Sequence, residues 1–364
     1  MEVLGMNLFA NAYRGKRVLI TGHTGFKGSW LTLWLQELGA QLTGVSLPSE
    51  TKPNHWDLLN LKINDQRLDI RNFDSVKQVI DKIRPEIVFH LAAQPLVRRS
   101  YIDPLETWST NVMGTAHVLE ACRHQPSVCA IVAVTTDKCY ENKEWERGYR
   151  EDDRLGGHDP YSASKACAEV LTASYRSAFF NIVNAPLLAT ARAGNVIGGG
   201  DWSEDRLIPD LVRSVELQQS LEIRSPNSTR PWQHVLESIS GYLALGQQLM
   251  SGKQTFAQAW NFGPESDGNL NVAQVLERLQ ENWAGWDWKT TDKQQPHEAK
   301  LLYLDSSKAK TLLQWRSVWD IDITLAKTSD WYKAWLYDGK ILSHQQLKEY
   351  AIAAQEKRLA WAVE

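Results

Sequence analysis

Four cysteines in 364 residues, Cys122, Cys129, Cys139 and Cys167, with no CxxC spacing among them, are too few and wrongly spaced for a disulfide framework or a zinc site. The expected compartment is a reducing cytoplasm. No apolar run approaches the length of a membrane span. Met1 to Tyr13 has neither a basic start nor a long apolar stretch, so it reads as a soluble arm and not as a targeting segment. Excess basic charge is missing too. At a formal net charge of -3 the chain carries no electrostatic footprint for nucleic acid or an anionic membrane. Internal repeats and low-complexity tracts are also absent. What the chain does have is a 43% apolar content, enough for a large core in two domains or one plus an appendage, and 16 tryptophans, many in the last third. Trp331 and Trp335 are helically spaced, which predicts the core of a second domain and not a base-stacking platform.

Arg17 to Thr21 reads as a buried strand that runs directly into Gly22-His23-Thr24-Gly25-Phe26-Lys27-Gly28 and a helical pattern through Leu38. Gly39 closes that helix, and Gln41 to Ser46 follows as a second strand. The three glycines suit a tight turn, close approach of backbone to a pyrophosphate, and close packing of helix on strand, with the anion on the helix N-terminus. About 20 residues on, a carboxylate normally meets the ribose of NAD, or an arginine the extra phosphate of NADP. Here the strand ends in Ser46-Leu47-Pro48, so that position does not decide between them. Asp69-Ile70, closing a likely third strand, is a candidate adenine contact, with a surface turn as the competing reading. Pro85 to Leu91 reads as the fourth strand, followed by small residues Ala92-Ala93-Gln94 where a flat cofactor can lie near backbone. A helix is expected from about Glu106 through Cys122.

Cys129 to Val134 is a fifth apolar strand that ends abruptly in Thr135-Thr136-Asp137-Lys138, and polar groups at a strand's carboxyl end are placed for a ligand. Tyr161 and Lys165, four apart, share one face of a predicted helix, so the lysine's charge favours the ionised phenol. A sixth strand is expected from Asn184 to Ala191, then a glycine-rich loop from Arg192 to Trp202 suited to wrapping a polar ligand or turning the chain. Arg224 and Arg230 add guanidinium groups beside turn residues, and Trp260 to Gly263 reads as a strand returning to the sheet. Strands alternating with helices predict an α/β fold: a Rossmann-type doubly wound parallel sheet with a smaller mixed α/β C-terminal substrate domain. The expected division is 14–191, with 231–262 returning to it, against 192–230 and 263–364.

Gly22-x-x-Gly25-x-x-Gly28, Tyr161-x-x-x-Lys165 and Thr135-Thr136 together resemble the extended short-chain dehydrogenase/reductase superfamily, and Thr136-Asp137-Lys138 resembles its nucleotide-sugar 4,6-dehydratase branch. The similarity runs from about Gly15 to the final helix and includes Ala92 to Arg98, Asp137 to Trp145, Arg192 to Trp202 and Arg224 to His234. The resemblance implies a hydro-lyase acting on a nucleoside diphosphate glucose, CDP-glucose in first place, with a tightly held NAD regenerated each turnover. Tyr161, helped by Lys165, takes the C4 hydroxyl proton and Thr136 holds that oxygen. Asp137 is the implied acid on the C6 oxygen. Lys138 stands where related dehydratases carry a glutamate base. A lysine of ordinary pKa near ~10.4 is a base at neutral pH only if burial or a neighbouring cation lowers it; otherwise it stabilises the enolate.

By the same resemblance Thr24, Phe26, Lys27, Asp69, Ile70, Ala92 and Ala93 join the glycines, Tyr161 and Lys165 around the cofactor. Asn195, Arg230 and Asn261 match positions that hold the diphosphate or its sugar, and Gln94, Arg206, Leu207 and Tyr303 complete the implied substrate set. A homodimer through helices near 106–122 and 161–179 is also implied. The alternatives are a nucleotide-sugar 4-epimerase, which has no need of Asp137 and Lys138, a dehydratase for another nucleotide sugar, and a non-catalytic dinucleotide-binding protein. The last should lack at least one of Thr136, Tyr161 and Lys165, and all are present.

Overall fold

Alternate residues of each central strand belong to different cores. Val18 and Ile20, Ile87 and Phe89, Ala130 and Val132 enter one apolar cluster, while Leu19, Val88 and Ile131 enter another on the opposite face. A strand buried on both faces shows a continuous apolar run, which is why these segments read so plainly in the sequence. The computed structural model describes residues 7–291 and 301–363. Seven strands form the main sheet: β1 (Arg17–Thr21), β2 (Gln41–Ser46), β3 (Asn64–Arg67), β4 (Ile87–His90), β5 (Ala130–Val134), β6 (Leu187–Ala193) and β10 (Ala259–Phe262). Their order is β10-β6-β5-β4-β1-β2-β3 and every pairing is parallel. The order reverses between β1 and β4, and a crevice outside the carboxyl ends at such a switch point is where ligands bind.

The helix Phe26–Glu37 is buried almost all round, from Gly28 through Leu35, so it lies between the sheet and further helices and is not an amphipathic surface helix. The helices Val235–Met250 and Ser343–Glu356 cover it. Glu237, wholly buried, fastens this layer by accepting the backbone N–H of Val318 and Trp319 and the hydroxyl of Tyr350. Smaller sheets complete the fold: β7 (Asn195–Ile197), β9 (Thr229–His234) and β11 (Asn269–Asn271) in one, β8 (Leu221–Ile223) with β12 (Trp288–Thr290) in the other.

Several expectations change. The sixth strand runs from Leu187 to Ala193, so Arg192 is a buried strand residue and not the start of a ligand-wrapping loop. Thr229–His234 pairs within the small sheet, so the return to the main sheet begins after His234. The expected helix from Glu106 starts at Pro104 and reaches Arg123 through a π turn, Ser109–Gly114. The N-terminal arm is no loose arm from residue 8 onward: Leu8, Phe9 and Tyr13 are buried, Phe9 stacks on Trp361 at 5.0 Å, and Tyr13 donates to the Leu243 carbonyl at 2.6 Å. Trp30, Trp34, Trp260, Trp315 and Trp331 are fully enclosed, but they share one apolar cluster with the strands of the main sheet and do not form a separate second core; Trp145 is exposed.

Candidate active site

A cleft of about 1450 Å³ opens over the carboxyl ends of β1, β4, β5 and β6. Pockets for one small ligand are typically ~300–1,000 Å³, so this one has room for two. Its first wall is the glycine turn. Gly22 sits at φ +78°, where an L side chain is strained, and a Cβ there would meet the Ala92 nitrogen at 2.7 Å. A Cβ on Gly28 would meet the Gly22 carbonyl at 2.0 Å, so the helix can start this close to the strand only with glycine. Bare backbone at a helix N-terminus is the cradle a pyrophosphate requires, and Thr24, Gly25, Phe26 and Lys27 line the cleft beside it. Ile70, Ala92, Ala93 and Asp69 continue the wall. Asp69, however, is occupied: it accepts from the Arg71 backbone and guanidinium at 2.6 to 2.8 Å, and Arg71 holds its carboxyl below the usual range, as in the surface-turn reading. Ser46, where a ribose-binding acid was sought, shares a 2.7 Å hydrogen bond with Thr24.

Asp159 caps the helix Pro160–Ala178 by accepting from the Ser162 N–H at 2.9 Å, and Pro160 fits its first position. That start places Tyr161, Lys165 and Glu169 on one face, at 8%, 7% and 3% exposure. Burial pushes the Tyr161 phenol up to about 12, against the pull of Thr136 and Arg206. Burial lowers the Lys165 ammonium to about 8, and Glu169 works in the other direction. In the protein alone, therefore, burial outweighs the help that Thr136 and Arg206 give the phenol. Glu169 was not foreseen. It accepts from Thr135, from Thr190 at 2.8 Å and from Arg192 at 2.8 Å, tying the ends of β5 and β6 to the helix that carries Tyr161. Its four-residue spacing from Lys165 was the available signal. Asn111, on the π turn, was also missed; it bridges the Gln94 backbone and the Ser164 hydroxyl and so fixes the strand-four loop against the same helix.

At the end of β5 Thr136 and Lys138 line the cleft. The Lys138 ammonium stands 3.9 Å from Asp137, with its side chain 30% exposed. Asp137 is fully buried and lies behind the cleft wall; Thr136 donates to its Oδ1 at 3.0 Å, and its Oδ2 has no hydrogen-bond partner among the described residues. Lys27 lies close by, lowered to about 7 by burial and by the cation of Arg206, with Asp137 opposing.

Of the implied substrate residues, Gln94, Asn195, Arg206, Leu207 and Arg230 reach the cleft. Gln94 uses its side chain on Leu96 and Thr107, and Arg206 is bound to Asp201 at 3.0 Å. Asn261 does not reach it. Completely enclosed, it accepts from the Tyr140 hydroxyl and donates to the carbonyls of Tyr149 and Asp305, so it braces the cleft wall from behind. Tyr303 is not on the wall either; its carbonyl receives the Tyr149 N–H, and Leu302 beside it faces the cleft. Among the described residues no group of His, Cys, Asp and Glu is arranged for a metal.

A glycine cradle and a Tyr–Lys pair facing each other across the switch point define a dinucleotide-dependent enzyme. The chain belongs to the GDP-mannose 4,6 dehydratase family, whose model matches residues 19–328. It is 46% identical to the CDP-glucose 4,6-dehydratase of Salmonella typhimurium over 94% of this chain and 98% of that protein. Among solved structures, an epimerase of Methanothermobacter thermautotrophicus superposes with a TM-score of 0.78 at 25% identity, over 92% of this chain and 96% of that one. The UDP-glucuronic acid 4-epimerase of Bacillus cereus, in complex with UDP-glucuronic acid and NAD, superposes with a TM-score of 0.75 at 25% identity, over 88% and 100%.

Proposed function

We propose that this chain is an NAD-dependent hydro-lyase that converts CDP-glucose to CDP-4-keto-6-deoxyglucose. The observation that carries the reading is a cleft large enough for a dinucleotide and a nucleotide sugar, lined by Thr136, Lys138 and Tyr161 with Asp137 directly behind them, in a chain 46% identical to a CDP-glucose 4,6-dehydratase. The glycine cradle fits NAD, and Gly22, Thr24, Gly25, Gly28, Ile70, Ala92 and Ala93 would hold it, with Tyr161 and Lys165 at its reactive end. NAD bound there supplies the acceptor for the C4 hydride and the hydride returned to C6.

Tyr161 accepts the C4 hydroxyl proton and Thr136 hydrogen-bonds the C4 oxygen. The Lys165 ammonium favours the phenolate, with Glu169 keeping the lysine charged. The C4 ketone acidifies C5, and Asp137 is assigned the acid that protonates the departing C6 hydroxyl, which it reaches from behind the cleft wall only when substrate draws the 136–138 segment forward. Lys138, on the cleft wall 3.9 Å from Asp137 and partly exposed, is assigned to C5: in its amine form it takes the C5 proton, and the ammonium so formed stabilises the enolate and returns that proton to C5 as hydride reaches C6. Arg230 and Asn195 are assigned to the diphosphate. Incubation with CDP-glucose tests the reading: water loss and an alkaline keto-sugar absorbance are expected, and a C4-inverted hexose would instead establish the epimerase that the structural likenesses also permit.

The chain forms a homodimer in this reading, supported by exposed apolar residues on the two expected helices, Leu105 at 79% and Val170 at 58%, and on the segments flanking them, Ile102 at 85% and Val183 at 88%. A cytoplasmic location is supported by four cysteines that form no disulfide, and among the described residues no helix is long and apolar enough to cross a membrane.

A further inference from the structure

Nucleobases that share a ribose, a diphosphate and a glucose differ only in their rings. Cytosine offers an N4–H donor beside the N3 and O2 acceptors; uracil presents an O4 acceptor and an N3–H donor in the first two places. A site that favours cytosine therefore needs an acceptor for N4–H next to a fixed donor for N3 and O2, and a carboxylate in the acceptor's place also repels the O4 of uracil. Such a pair stands on the cleft wall. Arg224, at the end of β8, holds Asp205 with Nη1 2.7 Å from Oδ1, and both residues line the cleft. Arg98, which follows β4 on the other side of the cleft, reaches the same Oδ1 at 3.1 Å. Both ion pairs fall on one oxygen, so Oδ2 is the acceptor for a further donor. Asp205 adopts φ +58°, a left-handed conformation costly for a residue with a side chain and found where surroundings enforce it. Its neighbour Arg206 pairs with Asp201, and its charge acts on the Tyr161 phenol; Arg206 and Asp205 are each about a third exposed. Leu207, Pro209, Ile223 and Val272 line the same cleft and supply apolar contact for the faces of a flat ring.

We propose that Asp205, held by Arg224, reads the cytosine: the carboxylate accepts from N4–H, and the guanidinium donates to N3 and O2. This rests on the nucleoside diphosphate glucose reading above. The experiment compares wild-type and Asp205→Asn holoenzyme for kcat/KM on CDP-glucose and UDP-glucose, with CMP and UMP affinities measured in parallel by calorimetry. An asparagine amide can donate to O4, so the preference for CDP-glucose over UDP-glucose, and for CMP over UMP, is expected to fall at least ~tenfold. Damage to the wall in general lowers both members of each pair and leaves the ratios alone; unchanged ratios overturn the proposal. Arg224→Gln is the second variant, expected to weaken CMP by about tenfold and UMP by less; equal losses count against the assignment. A wild-type protein that dehydrates neither sugar nucleotide refutes the proposed function, while the CMP and UMP titrations still decide how the base is read.

Discussion

The two halves of the proposed catalytic strand end differ in how much of their structure exists before a ligand arrives. Tyr161, Lys165 and Glu169 form a buried row whose last carboxylate has both oxygens engaged by Thr135, Thr190 and Arg192. Asp137 and Lys138, on the next two residues of the neighbouring segment, are looser: a lysine nitrogen 3.9 Å away and partly in solvent, and a buried carboxylate oxygen with no hydrogen-bond partner among the described residues. Proton abstraction beside a hydride acceptor depends on fixed charges that cost nothing to reorganise, and the row supplies them. In the proposed reaction, elimination has to follow a sugar whose geometry changes at C5, and the buried carboxylate is engaged only on binding. A half that is wired in advance should fail as a unit; a half that is not should fail one step at a time.

Tyr161→Phe makes the most severe test of that contrast. Loss of the phenol is expected to lower turnover by about 10³–10⁴-fold, the range of a positioned general base, while cofactor remains bound. Product formation and cofactor content report the two separately, and ordinary activity would remove Tyr161 from the mechanism. Lys138→Ala is expected to cost about 10²-fold in product formation, yet to leave oxidation intact, seen as transient NADH absorbance in rapid mixing. If oxidation is lost first, the division into halves is wrong.

Glu169→Gln asks whether the row is electrostatic or only a brace. Burial lowers the Lys165 ammonium and Glu169 raises it, and the balance leaves it at about 8. Without that carboxylate, Lys165 loses its proton at lower pH, so the high-pH limb of the oxidation rate should move below about 8 and the rate at pH 7 fall by about tenfold. Arg192 is left as an unpaired buried charge, and a stability loss of about 3–5 kcal/mol in denaturant unfolding should accompany the shift. Lower stability with an unmoved limb would mean that Glu169 braces and nothing more.

The wired half was the more legible one in the sequence, because its parts are local: an apolar strand, a glycine turn, and Tyr and Lys one helical turn apart. Glu169 followed the same spacing and was legible in principle. Arg192 was misread because the glycines after Gly194 conceal that the strand continues to Ala193. Asn261 and Tyr303 carry the residue types of a polar site, but what decides their role is the packing of the 301–305 segment against Tyr140 and Tyr149, contacts more than 100 residues apart. The same holds for Asp205 with Arg98, and no local pattern signals it.

The rim of the cleft should be less sensitive than either half, and Asp69→Asn measures by how much. Its carboxylate is about a third exposed and fully engaged by the Arg71 backbone and guanidinium. Exposed ion pairs contribute about 0–1 kcal/mol, and an asparagine can still accept from the Arg71 N–H, so the turn should persist. NAD affinity, followed by fluorescence quenching of the tryptophans, is then expected to change by less than about threefold. A carboxylate that instead received the adenine amine would lose a charge-assisted hydrogen bond on neutralisation, worth about 1.5–3 kcal/mol, which is tenfold or more in affinity. A tenfold loss would therefore return Asp69 to the cofactor contacts and place part of the rim with the wired half of the site.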